Sequence, residues 1–227
     1  MKGKLYGVGV GPGDAELLTL KAVRIIREAD VIAVPGAKKE DTVAYRIALG
    51  AVPELSEKEA VEIPWIMSKD KEKLQKLYDA TSAQIMGLLD KGKTVAFLTL
   101  GDPCIYSTYL YIHRAITEKG YETELINGIP SFCAVAARLN MGLVEHDQYL
   151  HVIPSLENIE EDIYFSGTKV LMKSGKRVCG MKEVLEQTDA EFAMVENCGM
   201  TNERIVQDSK EIHEDTGYYA TIILKDR

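Results

Sequence analysis

Apolar positions in the first half of the chain switch repeatedly between the period of a strand and that of a helix. Lys4-Leu5-Tyr6-Gly7-Val8-Gly9-Val10 predicts a first strand, and Gly11-Pro12-Gly13-Asp14 a tight turn. Thr19 stands at an N-cap position before a helix that carries Leu20, Val23 and Ile26 on one side. Asp30-Val31-Ile32-Ala33-Val34 predicts a second buried strand, stopped by Pro35-Gly36. A strand, turn, helix and strand in this order is the signature of a parallel sheet. The pattern continues with a short helix from Thr42 through Ile47 and a strand at Ala60–Ile63. Asp70 then caps a long helix with Leu74, Leu77, Tyr78, Ile85 and Leu88 on its buried face, ending at Gly92. A strand at Lys93–Phe97 and an apolar helix from Tyr109 to Ile116 follow.

The second half reads as further α/β structure. Lys119-Gly120 predicts a change of domain, giving domains 1–119 and 120–227. Strands are expected at 121–126, Tyr149–Ile153, Lys169–Met172, Phe192–Val195 and Tyr218–Leu224. Ser131 is placed to cap a helix of small residues running to Leu139, and Val178, Met181, Val184 and Leu185 mark another helix. The last strands follow each other without crossover helices, which predicts an antiparallel end. The fold class is therefore α/β, with two α/β domains and mixed, mostly parallel sheets.

Composition narrows the function classes. No apolar run approaches the ~18 residues of a membrane span, and glycines interrupt the short apolar stretch near Met1, so no signal peptide is expected. Cys104, Cys133, Cys179 and Cys198 are far apart and form no CxxC, so reduced thiols in a cytoplasmic protein are expected, without a metal site. The net charge of −8 argues against a nucleic-acid partner but allows a local basic pocket for an anionic substrate.

The stretch with the most chemical content is Leu98 to Thr108. It places Gly101-Asp102-Pro103 where a buried strand hands over to a helix, the usual ligand position in an open α/β sheet. Gly101 permits close backbone approach, and Asp102 has no basic neighbour in sequence. The alternative role for Asp102 is a turn acid that accepts from nearby amides. The opening glycines do not form a dinucleotide fingerprint. The final glycine position falls on Pro12 or Asp14, and the second strand ends in Pro35 instead of an acid.

Val8-Gly9-Val10-Gly11-Pro12-Gly13-Asp14, Leu17-Leu18-Thr19-Leu20-Lys21-Ala22, Ala29-Asp30-Val31-Ile32 with Pro35, Gly101-Asp102-Pro103 with Tyr106-Ser107, and Asn127-Gly128-Ile129-Pro130-Ser131 occur in that order. In this combination the chain resembles the tetrapyrrole (corrin/porphyrin) methylases, from about Leu5 to Leu224. Val170-Leu171-Met172-Lys173 and Glu196-Asn197-Cys198-Gly199-Met200 are similar to the subgroup that methylates C20 of precorrin-2 or cobalt-precorrin-2. Many members have Pro where this chain has Asn127, a residue that also tolerates turn geometry.

The resemblance implies an S-adenosylmethionine-dependent enzyme of cobalamin biosynthesis, homodimeric, with the cofactor folded in a cleft between two domains and S-adenosylhomocysteine as product. The substrate would be a small tetrapyrrole that can itself carry cobalt. By the same resemblance Leu100, Gly101, Asp102, Ile105, Tyr106, Ser107, Ser131, Phe132, Met172, Asn197, Cys198, Ala220 and Thr221 are expected around the cofactor. Pro12, Tyr109, Arg138 and Lys173 are expected on the substrate side, with Asp102 and Lys173 as the catalytic candidates. Lys176, Arg177 and His151 are lesser candidates for a cationic rim around the substrate carboxylates. For Met172 and Ile105 the competing reading is ordinary core, for Tyr109 helix packing, and for Cys104 and Cys198 small-residue packing. A methylase acting on another ring carbon or on RNA ribose, a nucleotide-binding oxidoreductase and a noncatalytic binding module are the alternatives.

Overall fold

The computed structural model describes residues 2–64, 68, 70–154, 157–173, 178, 180, 182–186 and 188–226. The chain divides into two compact units, Met1–Pro130 and Ser131–Arg227.

The first unit is built on strands β1 (Lys4–Gly9), β2 (Val31–Pro35), β3 (Glu59–Ile63), β4 (Val95–Thr99) and β5 (Glu122–Ile126), in the order β3-β2-β4-β1-β5. Every pairing in this sheet is parallel. Its helices are α1 (Leu20–Glu28), α2 (Val43–Ala51), α3 (Lys71–Leu89) and α4 (Tyr109–Glu118). Alternate strand residues explain how they divide. Val8, Ile32, Val34, Ala96 and Leu98 pack with α1 and α2, while Leu5, Val31, Ala33, Val95 and Phe97 pack with α3 and α4. Covered on both faces, β4 is buried along its whole length and reads as a continuous apolar run.

Local sequence sets the helix starts. The Thr19 hydroxyl accepts from the Ala22 N–H at 3.1 Å, and the Asp70 carboxylate accepts from Glu72 and Lys73 N–H groups at 3.0 and 3.2 Å. Thr42 precedes α2 but donates its hydroxyl to the Lys39 carbonyl instead of capping. The expected helical faces need correcting at two places. Leu20 is 91% exposed, because it lies about 160° around the helix from Ala22; the buried stripe of α1 is Ala22, Ile25 and Ile26. In α3 the buried residues are Tyr78, Thr81, Ser82, Ile85 and Leu89, with Leu74, Leu77 and Leu88 only half-buried.

The expected boundary at Lys119-Gly120 is also corrected. β5 pairs with β1 from Lys4↔Glu122 to Val8↔Ile126, so it completes the first sheet and the boundary falls at Pro130. The alternation of residues 121–126 gave the strand but not its partner, since a strand's period does not say which sheet it joins.

The second unit has strands β6 (Leu150–Ile153), β7 (Thr168–Met172), β8 (Glu191–Glu196), β9 (Arg204–Val206) and β10 (Ala220–Lys225), in the order β6-β7-β10-β8-β9. β6 and β7 are parallel; β10 is antiparallel to β7 and β8, and β9 is antiparallel to β8. This is the mixed sheet with an antiparallel end that was expected. Helices α5 (Ser131–Arg138), α6 (Ile159–Asp162) and α7 (Lys182–Glu186) complete the unit. Helix α5 begins at Ser131 itself, so that residue is its first helical position. Val178 is buried but precedes α7, and Met181 lies outside the described residues. Ile153, Leu171, Met194, Ile222 and Leu224 form the centre of the core.

Lys169 is buried inside β7, where the sequence reads as apolar. Its ammonium is satisfied by the Asp226 carboxylate and by the Phe165 carbonyl at 3.0 Å. Burial raises the Asp226 pKa, but the Lys169 ammonium and the Gly167 N–H outweigh it and hold that carboxyl below its ordinary value.

Candidate active site

In the first unit the loops after β1, β4 and β5 meet at the C-terminal edge of the sheet. A Cβ on Gly128 would come within 2.2 Å of the Gly101 carbonyl oxygen, and one on Gly9 within 2.6 Å of both that oxygen and the Gly128 nitrogen. Only glycine permits this approach. Gly101 has a φ of 69° and exchanges backbone hydrogen bonds with Gly11, at 2.8 and 3.2 Å. Its N–H is thereby taken, and what it offers a ligand is room. A Cβ there would meet nothing nearer than the Ile129 carbonyl at 3.9 Å.

Asp102 is buried directly after this turn. Oδ1 accepts from the Cys104 N–H at 2.7 Å; Oδ2 accepts from the Asn127 amide and the Gly128 N–H, each at 3.1 Å. The acid therefore joins the β4 loop to the β5 loop. The turn-acid reading of Asp102 is what the geometry displays, extended across two loops. Asn127, the departure from the family pattern, supplies one of these donors.

The loop then carries Tyr106, 46% exposed, at a φ of 48°, strained for a bulky residue. The Ser107 and Thr99 hydroxyls lie 3.0 Å apart. Leu100, Ile105 and Ser107 are half-buried, and Pro12 is buried. Tyr109 requires correction as a substrate residue. It is buried in the core of the first unit, with its ring 4.9 Å from that of Phe97. A Cβ on Gly7 would fall 2.0 Å from it, so the glycine in β1 makes the slot the ring fills. Burial pushes the phenol pKa up, and the hydroxyl lies 3.3 Å from His113 Nδ1.

In the second unit the expected residues collect at one end of the sheet. β7 and β8 finish where β10, antiparallel to both, begins: Thr221 pairs with Met172 and with Val195, and Ala220 with Glu196. Topology thus brings Met172, Lys173, Asn197, Cys198, Ala220 and Thr221 together. Met172, Cys198, Ala220 and Thr221 are buried. Lys173 and Asn197 both leave their strands with positive φ, 56° and 53°. Lys173 is exposed, yet desolvation by the surrounding protein lowers its ammonium pKa. Ser131 is half-buried and Phe132 buried at the start of α5, which packs on β10.

Arg138, expected on the substrate side, is engaged in an ion pair. Its guanidinium is held by Glu203 at 2.6 Å. Burial raises the Glu203 pKa, but the Gly199 N–H and Arg138 hold that carboxyl below its ordinary value. Lys176 and Arg177 lie outside the described residues. His151 sits at the start of β6, at the other end of the sheet from Lys173.

Sequence reasoning missed Glu196. Its buried carboxylate accepts from the Gly217 N–H and pairs with Arg204 at 3.0 Å, while Arg204 also donates to the Thr216 hydroxyl at 3.0 Å. Glu196 thus braces the turn that delivers Ala220 and Thr221. An acid ending an apolar strand, Phe192-Ala193-Met194-Val195-Glu196, is the signal that would have found it. Burial raises the thiol pKa at Cys133; at Cys104 burial and the Asp102 carboxylate both do so. Cys104 and Cys133 are exposed and Cys198 is buried, so a packing role suits Cys198 alone. Among the described residues, no cluster of His, Cys, Asp and Glu is placed to hold a metal.

A glycine cradle at the C-terminal edge of a parallel sheet, followed by a mixed α/β unit, defines a class of α/β enzymes that bind a small ligand at strand ends. The comparisons make the class specific. Residues 4–212 match the family model described as Tetrapyrrole (Corrin/Porphyrin) Methylases, and the chain belongs to that family. A protein of Methanocaldococcus jannaschii described as a probable cobalt-precorrin-2 C(20)-methyltransferase is 34% identical, over 98% of this chain and 96% of its own length. The cobalt-precorrin-2 C(20)-methyltransferase of Salmonella typhimurium is 31% identical, over 99% and 97%. Among solved structures, a cobalt precorrin-4 methyltransferase aligns with a TM-score of 0.78 at 20% identity, over 98% of this chain and 94% of its own. The Thermus thermophilus uroporphyrin-III C-methyltransferase complexed with S-adenyl homocysteine aligns at 0.68 and 23% identity, over 99% and 98%. These last two likenesses show the fold.

Proposed function

We propose that the chain is an S-adenosylmethionine-dependent C-methyltransferase. It methylates C20 of precorrin-2 or cobalt-precorrin-2, giving the corresponding precorrin-3, in cobalamin biosynthesis. The observation that carries this reading is the end-to-end similarity to the C20-methyltransferases named above.

The residues present fit the cofactor. The turn at Gly101 leaves the space its missing side chain would occupy, and the reciprocal bonds with Gly11 fix that space. When bound, S-adenosylmethionine supplies a methyl group activated by its sulfonium. Leu100, Ile105, Tyr106 and Ser107 would hold it from the β4 loop. By the family resemblance, Ser131, Phe132, Met172, Asn197, Cys198, Ala220 and Thr221 are also proposed as cofactor residues. Asp102 is a positioning residue: its charge ties Cys104, Asn127 and Gly128 into one rigid edge. Such preorganisation matters because well-oriented reactants reach effective molarities of ~10⁵–10⁸ M. Lys173 binds a substrate carboxylate, and Pro12 borders the substrate. The enzyme acts in the cytoplasm as a homodimer, a reading supported by the family resemblance. Light scattering then gives twice the 25.2 kDa chain mass; a monomer mass contradicts the dimer.

The reaction is tested by incubating the protein with ¹³C-methyl S-adenosylmethionine and precorrin-2, with and without cobalt, and locating the label by NMR. Label at C20 is expected. Label on another ring carbon reassigns the position, and no transfer to either substrate contradicts the reading.

A further inference from the structure

The sheet of the first unit forks at its ligand edge. β2 pairs with β4 only as far as Ala33↔Phe97. Beyond that point β2 follows β3 to Pro35↔Ile63, and the Gly36 N–H continues onto the Ile63 carbonyl at 2.8 Å. β4 instead follows β1 to Gly9↔Thr99 and on to the Gly11–Gly101 pair. The helices after the two strands also leave on opposite faces, α2 with the α1 side and α4 with the α3 side. A parallel sheet whose neighbouring strands lead to opposite faces has its ligand crevice there. The loop 36–42 is one wall of this fork, and the loop 100–108 is the other.

Hydrogen bonds brace the 36–42 wall, which carries Lys38, Lys39, Glu40 and Asp41. The Lys39 N–H donates to the Glu62 carboxylate at 2.8 Å, and the Thr42 hydroxyl to the Lys39 carbonyl at 2.8 Å. Arg46 reaches back to the Glu40 and Asp41 carbonyls at 3.4 and 3.3 Å. Lys39 Nζ lies 5.5 Å from the centre of the Tyr45 ring. Three nearby charged groups are engaged: Asp14 caps Glu16, Asp102 accepts its three N–H groups, and Lys21 pairs with Glu124. The carboxylates of Glu40 and Asp41 are exposed in the same loop as Lys38. Lys38 is different. Its backbone is extended, its side chain is exposed, and it makes no ion pair or hydrogen bond through its ammonium among the described residues.

We infer that Lys38, at the rim of the β2/β4 fork, binds a peripheral carboxylate of the tetrapyrrole. The inference rests on the tetrapyrrole reading above. Lys38 fixes where the macrocycle sits and takes no part in methyl transfer. A protein of net charge −8 needs such a local cation for a polycarboxylate substrate.

Binding is measured by fluorescence titration with uroporphyrin III, an oxidised polycarboxylate tetrapyrrole that requires no turnover. Lys38→Gln is expected to weaken binding about fivefold and Lys38→Glu about tenfold or more, as for an exposed ion pair lost and then reversed. The affinity for S-adenosylhomocysteine should be unchanged, and the salt dependence of uroporphyrin binding should flatten. Lys91→Gln, at the opposite edge of the same sheet, should bind like the wild type. Wild-type affinity in both Lys38 variants overturns the subsite, as does an equal loss in Lys91→Gln or failure of the wild type to bind uroporphyrin III. Failure of the C20 reading shows separately: a wild type that binds uroporphyrin III, loses affinity on Lys38→Gln and transfers no methyl to precorrin-2 retains the subsite and loses the reaction.

Discussion

The two units solve the same problem, holding strand ends in register, by different means. In the first, backbones touch. Gly9, Gly101 and Gly128 pack against one another, and the buried acid Asp102 ties the loops through N–H donors. In the second, side chains bridge larger gaps, with Glu196 and Arg204 bracing the turn before β10. Backbone packing tolerates almost no added atom. A side-chain brace loses strength in steps as its partners are removed.

Substitutions should separate these two behaviours. The largest effect is expected at Gly128→Ala, whose Cβ would lie 2.2 Å from a carbonyl oxygen in a backbone that cannot yield. A loss of about 3 kcal/mol is expected in urea unfolding, with S-adenosylhomocysteine binding lost as well. Asp102→Asn should come next, at about 2 kcal/mol, because an amide cannot accept at both positions and leaves a buried N–H unpaired. It should lose cofactor affinity together with turnover. Retained affinity with lost turnover would instead assign Asp102 to the chemistry. Glu196→Gln should cost about 1–2 kcal/mol and weaken cofactor binding a few-fold, since the Gly217 N–H keeps an acceptor while Arg204 loses its counter-charge. Equal losses of cofactor affinity at Gly128 and Glu196 would erase the contrast.

The smallest effect is expected on the surface of the first unit, at an exposed ion pair. Lys21, then Lys4, hold the Glu124 carboxyl down to about 2. Its stabilisation is therefore fully present above the ordinary value of 4.5 and is lost as the pH falls through about 2. Glu124→Gln should lower stability by less than about 1 kcal/mol at neutral pH, because a group a third exposed is well screened, and the difference should vanish near pH 2. A difference that persists at that pH would show that the charge is not its source.

The same contrast explains what the sequence made legible. β2 and β4 announce themselves because burial on both faces favours apolar runs, and β1 by its apolar residues and the glycine turn that follows it. Asp70 and Thr19 are legible as caps because their chemistry is local. β9 is not, since three residues, Arg204–Val206, hold no period. The surroundings of Tyr109 and Arg138 were not legible for a common reason. Their destinations, the slot over Gly7 and the carboxylate of Glu203, are made by residues distant in sequence. The involvement of Asp102 was visible from its place after Gly101, but its reach to Asn127 and Gly128 depends on β1 lying between β4 and β5.

The central claim is that the space beside Gly101 belongs to an adenosyl cofactor. Calorimetric titration of S-adenosylhomocysteine into the wild type and Gly101→Ala tests it most directly, with thermal unfolding run alongside. The account predicts that the variant stays folded, less stable by about 1 kcal/mol for an alanine held at positive φ, and that it binds at least about tenfold more weakly. A folded variant with wild-type affinity would contradict it.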